Sequence, residues 1–409
     1  MTSLRDRAAE LDRTDPLRGY RELFVIDDEL VYLDGNSLGR PPRSAIRSIH
    51  TAADEWSAEL VSGWDHWLDL GLEVGDLLAP LIGAAEGEVA IGDQTSVNLY
   101  KLAMAALDGS GRNRILTDAG NFPSDLYILA SVAHHHGGEL VVIDEDPTPV
   151  EVRAHLDESI ALVAMTHVSY RSGAMHDGAT ITEAAHAAGA LMLWDLAHSA
   201  GAVPVDVNGW GADLAVGCTY KYLNGGPGAP GFLFVASDLQ PELRQPITGW
   251  FGHADQFSFT TDFVPSNSIR KFLVGTPPIV SLRAAQAGIE LTAMAGIAAL
   301  REKGSTLTGI FIDAVSTWAA DADVDIVTPV NPQRRGSHVA IRHAAGFQIS
   351  QALRHGGIVV DFRAPDLIRF GFAALYSTHL EAAAASEALR TIIESGTWRD
   401  YPAMRTGVT

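Results

Sequence analysis

Residues 160–166 read IALVAMT, and residues 190–235 read ALMLWDLAHSAGAVPVDVNGWGADLAVGCTYKYLNGGPGAPGFLFV. Three short, largely apolar runs stand out here: Ile160–Thr166, Ala190–Trp194 and Ala212–Gly217. Apolar runs of that length suit strands buried on both faces, and buried strands separated by helices build a mainly parallel sheet. Thr182–Ala188 has the pattern of the helix that joins the first two. Working outward, Val89–Gly92, Arg114–Thr117, Glu139–Asp144 and Gly231–Ala236 read as further strands. Ser96–Leu107, Asp125–His136 and Val150–Leu156 read as the helices between them. The expected fold class is α/β, a large domain whose mainly parallel sheet is sandwiched by helices.

The texture changes after Pro277-Pro278. Long Ala-rich helices at about 279–303 and 304–320 precede strand-like Asp325–Val327, Ser337–Ile341, Ile358–Phe362 and Leu367–Phe372. A closing helix runs from Thr378 to Ser395, so the tail reads as a smaller α+β domain. At the other end a polar helix and lead-in extend to about Leu30. Val31–Asp34 is then a short strand closing on Gly35-Asn36-Ser37-Leu38-Gly39, and Pro41-Pro42 start a helix, as proline fits a first turn. This divides the chain into an N-terminal arm (1–40) packing with the small domain, a large domain (41–275) and a small domain (276–409).

At 409 residues the chain has room for two or three domains. An apolar fraction of 47% with 19% charged residues is that of a globular protein, not a disordered one. Twenty-nine basic against 50 acidic residues give a net charge of −21, which repels phosphate backbones and anionic lipid. No apolar run approaches a membrane span, and MTSLRDRAAELDRTDP lacks the apolar core of a signal peptide. One cysteine, Cys218, makes neither an internal disulfide nor a cysteine-rich zinc site. These features lead us to expect a soluble globular protein of a reducing, cytoplasmic compartment, large enough for an active site, without nucleic-acid or membrane partners and without a metal.

In an open parallel sheet ligands gather at the carboxyl ends of the strands. Thr95-Ser96 follow one strand and open a helix, where free N–H groups and two hydroxyls suit a phosphate; helix capping is the plainer reading. Asp195 emerges from an apolar strand, either as a cap or salt-bridge partner or as the mate of a protonated ring nitrogen. His198 lies three residues on. Lys221 is one of only four lysines among 29 basic residues. A chain so rich in arginine keeps lysine where a guanidinium does not serve, and Schiff-base chemistry is one such place. Lys101, Lys271 and Lys303 read as solvated charges. Phosphate site, acid and amine are together the three handles of pyridoxal phosphate. Tyr220 is placed to serve the phosphate and Phe122 to stack on the ring. The 26 residues from Asp195 to Lys221 suit the aspartate-aminotransferase superfamily.

The segments YLDGNSLGRPP (32–42), TSVNLYKLAMAAL (95–107), NFPSDLYIL (121–129), GWFGH (249–253), GTPP (275–278) and the long block at 194–235 closely resemble the kynureninases. The resemblance implies pyridoxal-phosphate fold type I with a seven-stranded sheet, in a homodimer with sites at the subunit interface. It implies hydrolysis of L-kynurenine, and of its 3-hydroxy derivative, to alanine and the anthranilate. By matching motif, Lys221 would carry pyridoxal 5′-phosphate, Asp195 face its ring nitrogen with His198 nearby, Phe122 stack on the ring, and Asp125 lie at its polar edge. Thr95, Ser96, Tyr220, Trp250 and Thr276 would serve the phosphate end, Trp250 and Thr276 from the second subunit, with Thr166 as another contact. Arg369, in LIRFGFA, would grip the substrate carboxylate bidentately. Ser37 and Trp64 match positions near the aryl ketone, Trp64 in the manner of bacterial members. Thr276 stands where some members have asparagine.

Other readings remain. A cysteine desulfurase or selenocysteine lyase shares the fold and needs an accessible thiolate, whereas Cys218 ends a predicted strand and reads as a small buried hydrophobe. An aminotransferase, or a non-catalytic cofactor-binding scaffold, is the further alternative. His134-His135-His136 point in different directions around a helix end, which is poor geometry for a metal. Asp144-Glu145-Asp146 and the Asp321–Asp325 cluster read as solvated surface acids.

Overall fold

The computed structural model describes residues 3–403. Helix Leu4–Thr14 opens the chain, and a two-residue strand, β1 (Val31–Tyr32), follows. The next strands are β2 (Val89–Ile91), β3 (Arg114–Asp118), β4 (Leu140–Ile143) and β5 (Ile160–Thr166). Then come β6 (Leu191–Asp195), β7 (Leu214–Cys218) and β8 (Gly231–Val235). Strands β2 to β8 form one seven-stranded sheet in the order β2-β8-β7-β6-β5-β3-β4, parallel except where β8 runs against both its neighbours. This is the sheet that the apolar runs predict.

Burial on both faces explains those runs. Along β5, Val163 and Met165 enter one core while Leu162 and Ala164 enter the core on the opposite face. With a two-residue side-chain period, a strand feeding two cores has no position for a polar residue until it ends. Each aliphatic side chain so buried contributes roughly 1.5–3 kcal/mol.

The C-terminal part holds β9 (Asp325–Ile326), β10 (His338–Arg342), β11 (Ile358–Val359), β12 (Asp361–Arg363) and β13 (Leu367–Gly371). An antiparallel sheet runs β12-β13-β10-β9, covered by helices Ile297–Ser316 and Gly346–His355, on which helix His379–Ser395 packs in turn. Helix Leu4–Thr14 packs on the helices 297–316 and 379–395, with Ala8 in their shared core. Strand β1 pairs in parallel with β11, so the N-terminal segment is tied to the C-terminal part.

Two expectations need correction. The Ala-rich stretch breaks at Gly296, not near 303, giving helices Ile279–Ala295 and Ile297–Ser316. Gly296 has φ +77°, a conformation that L side chains rarely adopt, so a pattern of apolar residues carries no mark of it. The single strand expected at 358–362 is two: β11 pairs with β1 and β12 with β13. Helix Ile279–Ala295 buries Leu282 and Ile289 in the large core.

Candidate active site

β3, β5, β6 and β7 end at Asp118, Thr166, Asp195 and Cys218, all on one edge of the sheet. Because β8 runs the other way, it begins at that edge with Gly231. A Cβ there would sit 2.7 Å from the Thr95 backbone nitrogen, so only glycine lets the helix start come so close. Helix Thr95–Leu107 has no side-chain cap at its N-terminus; the Thr95 hydroxyl instead donates to the Gly217 carbonyl at 3.0 Å. The capping role therefore does not hold for these hydroxyls, and Thr95 and Ser96 of that uncapped first turn line the cleft, an anion-binding arrangement.

Asp195 is buried and accepts the Ala197 N–H at 2.8 Å through Oδ1. Asp125, from the first turn of helix Pro123–His135, is buried too, and its Oδ2 has no partner. Burial raises both carboxyls; Asp195 pushes Asp125 further up, while Lys221 pulls both down. Lys221 Nζ lies 3.0 Å from His198 Nε2. Burial holds His198 well below its ordinary range, helped by Lys221, so the imidazole is neutral and its Nε2 accepts from the amine. The Tyr220 hydroxyl is pushed up by Cys218, by burial and by the two carboxylates, and keeps its proton.

The N-terminal motif closes the cleft. Gly39 N–H donates to the Tyr220 carbonyl at 2.8 Å. A Cβ on Gly39 would fall 2.4 Å from the Lys221 carbonyl oxygen, so the loop bearing Lys221 is pressed directly on the GNSLG turn. Ser37 from that turn reaches the small sheet, donating to Asp361 at 3.2 Å and accepting from Arg369 at 3.2 Å.

Eleven of the fourteen residues singled out from the sequence line this one cleft: Ser37, Thr95, Ser96, Phe122, Asp125, Thr166, Asp195, His198, Tyr220, Lys221 and Arg369. Three do not. Trp64 is half-buried edge-on against Trp67. Trp250 is 42% exposed beside Phe251 and Phe257. Thr276 is exposed in a separate groove with Gly275 and Pro277. Asn36, Tyr170 and Arg363 also line the cleft and escaped the sequence reading. Asn36 lies inside the quoted GNSLG motif, and Arg363 stands six residues before Arg369 in the same hairpin, so both had a signal. Tyr170, in a loop after β5, had none.

The description "Kynureninase C-terminal domain" matches residues 300–389. A kynureninase of Burkholderia pseudomallei is 44% identical over 405 residues, 97% of each chain. One from Pseudomonas fluorescens is 43% identical over 408 residues, again 97% of each. The chain belongs to the kynureninase family. Solved structures give the fold independently: an apo cysteine desulfurase from Thermococcus onnurineus has a TM-score of 0.79 at 18% identity, covering 92% of this chain and 98% of its own. A C-DES variant with glycine covalently linked to its PLP cofactor has a TM-score of 0.80 at 18% identity, covering 90% and 98%. The pyridoxal-phosphate fold type I expected of a kynureninase is thus the one observed.

Three other readings from the sequence can be settled here. Lys101, Lys271 and Lys303 are not solvated; all three are buried. Lys101 bonds Asp93 at 2.8 Å and the Phe272 carbonyl at 2.7 Å, Lys303 pairs with Asp15 at 2.7 Å, and Lys271 reaches the Leu243 carbonyl at 3.3 Å. Cys218 is buried, as expected of a small hydrophobe. Asp146 is half-buried and accepts from Ser172 at 2.6 Å, unlike the solvated acid expected there.

Proposed function

We propose that this chain is a pyridoxal-phosphate-dependent hydrolase that cleaves the Cβ–Cγ bond of L-kynurenine with water, releasing anthranilate and L-alanine. The 3-hydroxy derivative is a second substrate of the same shape. The observation that carries this is the convergence of an uncapped helix start, two buried carboxyls, an amine and an arginine on one cleft.

The donor set fits pyridoxal 5′-phosphate. The start of helix Thr95–Leu107, with Thr95, Ser96 and Tyr220, would take the phosphate, and Lys221 would hold the aldehyde carbon. Asp125 and Asp195 are two acids with one unpartnered oxygen between them, a site that asks for a cation such as a protonated ring nitrogen. Phe122 would stack on the ring. When bound, the cofactor supplies the electron sink for charge developing at the substrate Cα.

The chain's own residues supply the rest. Lys221 is placed to move the substrate Cα proton, and neutral His198, 3.0 Å from the amine, would hold it in line. Tyr220, which retains its proton, is the donor for later steps. Arg369 and Ser37 orient the carboxylate end. A homodimer completes the site, with Trp250 and Thr276 coming from the second subunit and Trp64 near the aryl end. The cytoplasm is its compartment, in keeping with one buried thiol; among the described residues no helix is long and apolar enough to cross a membrane. A desulfurase role finds no accessible thiol, because Cys218 is 3% exposed.

The test is incubation of the purified holoprotein with L-kynurenine, following anthranilate fluorescence and alanine release. One alanine per anthranilate is expected. The Lys221→Ala variant should lose turnover and the borohydride-trapped label on that residue. Turnover without a trapped label in the native chain would overturn the reading.

A further inference from the structure

Arg369 is 1% exposed, and it is the Nη groups that are engaged, while its Nε, like that of Arg363, has no partner. Nη1 donates to the Tyr170 carbonyl at 2.6 Å. Nη2 donates to Ser37 at 3.2 Å and makes a close contact with Asp361 Oδ2, which takes up both of its hydrogens. A guanidinium grips a carboxylate bidentately through two adjacent N–H bonds, end-on through Nη1 and Nη2 or side-on through Nε and Nη2. Each pair includes Nη2. Arg369 alone therefore offers a carboxylate one donor at a time while Ser37 and Asp361 stay where they are.

The missing donor has a source in the same hairpin. Asp361 lies directly across from Arg369 in the β12–β13 pairing, and Arg363, two residues on, projects from the same face of the strand. Arg363 Nη2 bonds the same Asp361 Oδ2 at 2.9 Å. Its side chain is 33% exposed, it lines the cleft, and its Nε has no partner. Its charge also reaches His198, which it helps hold neutral.

We propose that the substrate carboxylate is held by two guanidiniums, one donor from Arg369 and one from Arg363, with Asp361 fixing the distance between them. Arg363 is thus a specificity residue for the α-carboxylate, and Asp361 is a positioning residue. This rests on the amino-acid-cleaving reading above, and the test separates the two.

Binding of L-alanine and of L-alaninamide to the holoprotein is followed by the change in the bound cofactor's absorption, alongside kcat and KM for L-kynurenine. In Arg363→Gln the Kd for alanine should rise roughly tenfold or more, and that for alaninamide by less than about twofold. KM for kynurenine should rise more than kcat falls. Arg363→Lys, which keeps the charge and one donor, should lie between native and Arg363→Gln for alanine alone. Native discrimination between alanine and alaninamide in both variants would overturn the proposal. A native chain that binds alanine with this discrimination but leaves kynurenine intact would sink the kynurenine reading and leave Arg363 in place.

Discussion

Lys221 belongs to a set of four, and the other three show why lysine was kept in an arginine-rich chain. Lys101 places a compact ammonium between the Asp93 carboxylate and the Phe272 carbonyl, and Lys303 buries one against Asp15, sites where a point charge serves and a planar fork is not interchangeable with it. The composition argument thus holds for every lysine, although only Lys221 faces the cleft. At Asp195 the carboxylate is expected to be irreplaceable by its amide. Asp195→Asn should cut kcat by about a hundredfold or more while the protein stays yellow, as steady-state rates and an absorption spectrum will read. Asp118, fully buried at the end of β3, makes a pH prediction instead. Burial pushes it up to about 7, against about 3.9 in an unfolded chain. The folded state therefore binds the proton more tightly, so stability is fully present below about pH 4 and is lost as pH rises through 7, at on the order of 1 kcal/mol per pH unit. Asp118→Asn, neutral throughout, should gain on the native chain between pH 5 and pH 7.5 in urea unfolding; an unchanging difference would remove the effect.

Among elements, what could be read in advance follows from periodicity. β5 is predicted to the residue because it serves two cores at once, and β3, β6 and β7 differ from expectation by one or two positions. The Gly296 break and the split at Val360 were illegible, since a left-handed glycine and a change of pairing partner both leave the apolar pattern intact. In the cleft, residues ending strands or sitting in motifs could be named. Tyr170 could not, because its place depends on how the loop after β5 folds back toward Phe122, 5.1 Å away ring to ring. The N-terminal arm carries its own prediction. Asp12 accepts from the His379 and Leu380 backbone N–H groups at 2.7 and 3.0 Å and from the His379 ring, capping helix 379–395 from a distant part of the chain. Asp15 meets Lys303 with both side chains nearly inaccessible. Removing one partner leaves the other charge buried, so Lys303→Ala should destabilise by about 3–5 kcal/mol in denaturant unfolding. A loss below 1 kcal/mol would mean the site admits water.

For the molecule as a whole, three of the residues matched to the family lie away from the cleft of their own chain, and Trp250 stands exposed with Phe257 and Phe259. If a partner chain lends Trp250, two inactive variants should repair each other. Chains carrying Lys221→Ala and Trp250→Ala, co-expressed at equal levels, should form mixed dimers in which one site is intact, restoring about a quarter of native sites by random pairing. No recovery above the separate variants would place Trp250 in its own subunit's chemistry or outside it altogether. The short pairing of β1 with β11 has a practical sequel. Anyone trimming the first forty residues as a dispensable leader would also remove Asn36 and Ser37 from the reaction chamber and unseat the turn on which the Lys221 loop rests.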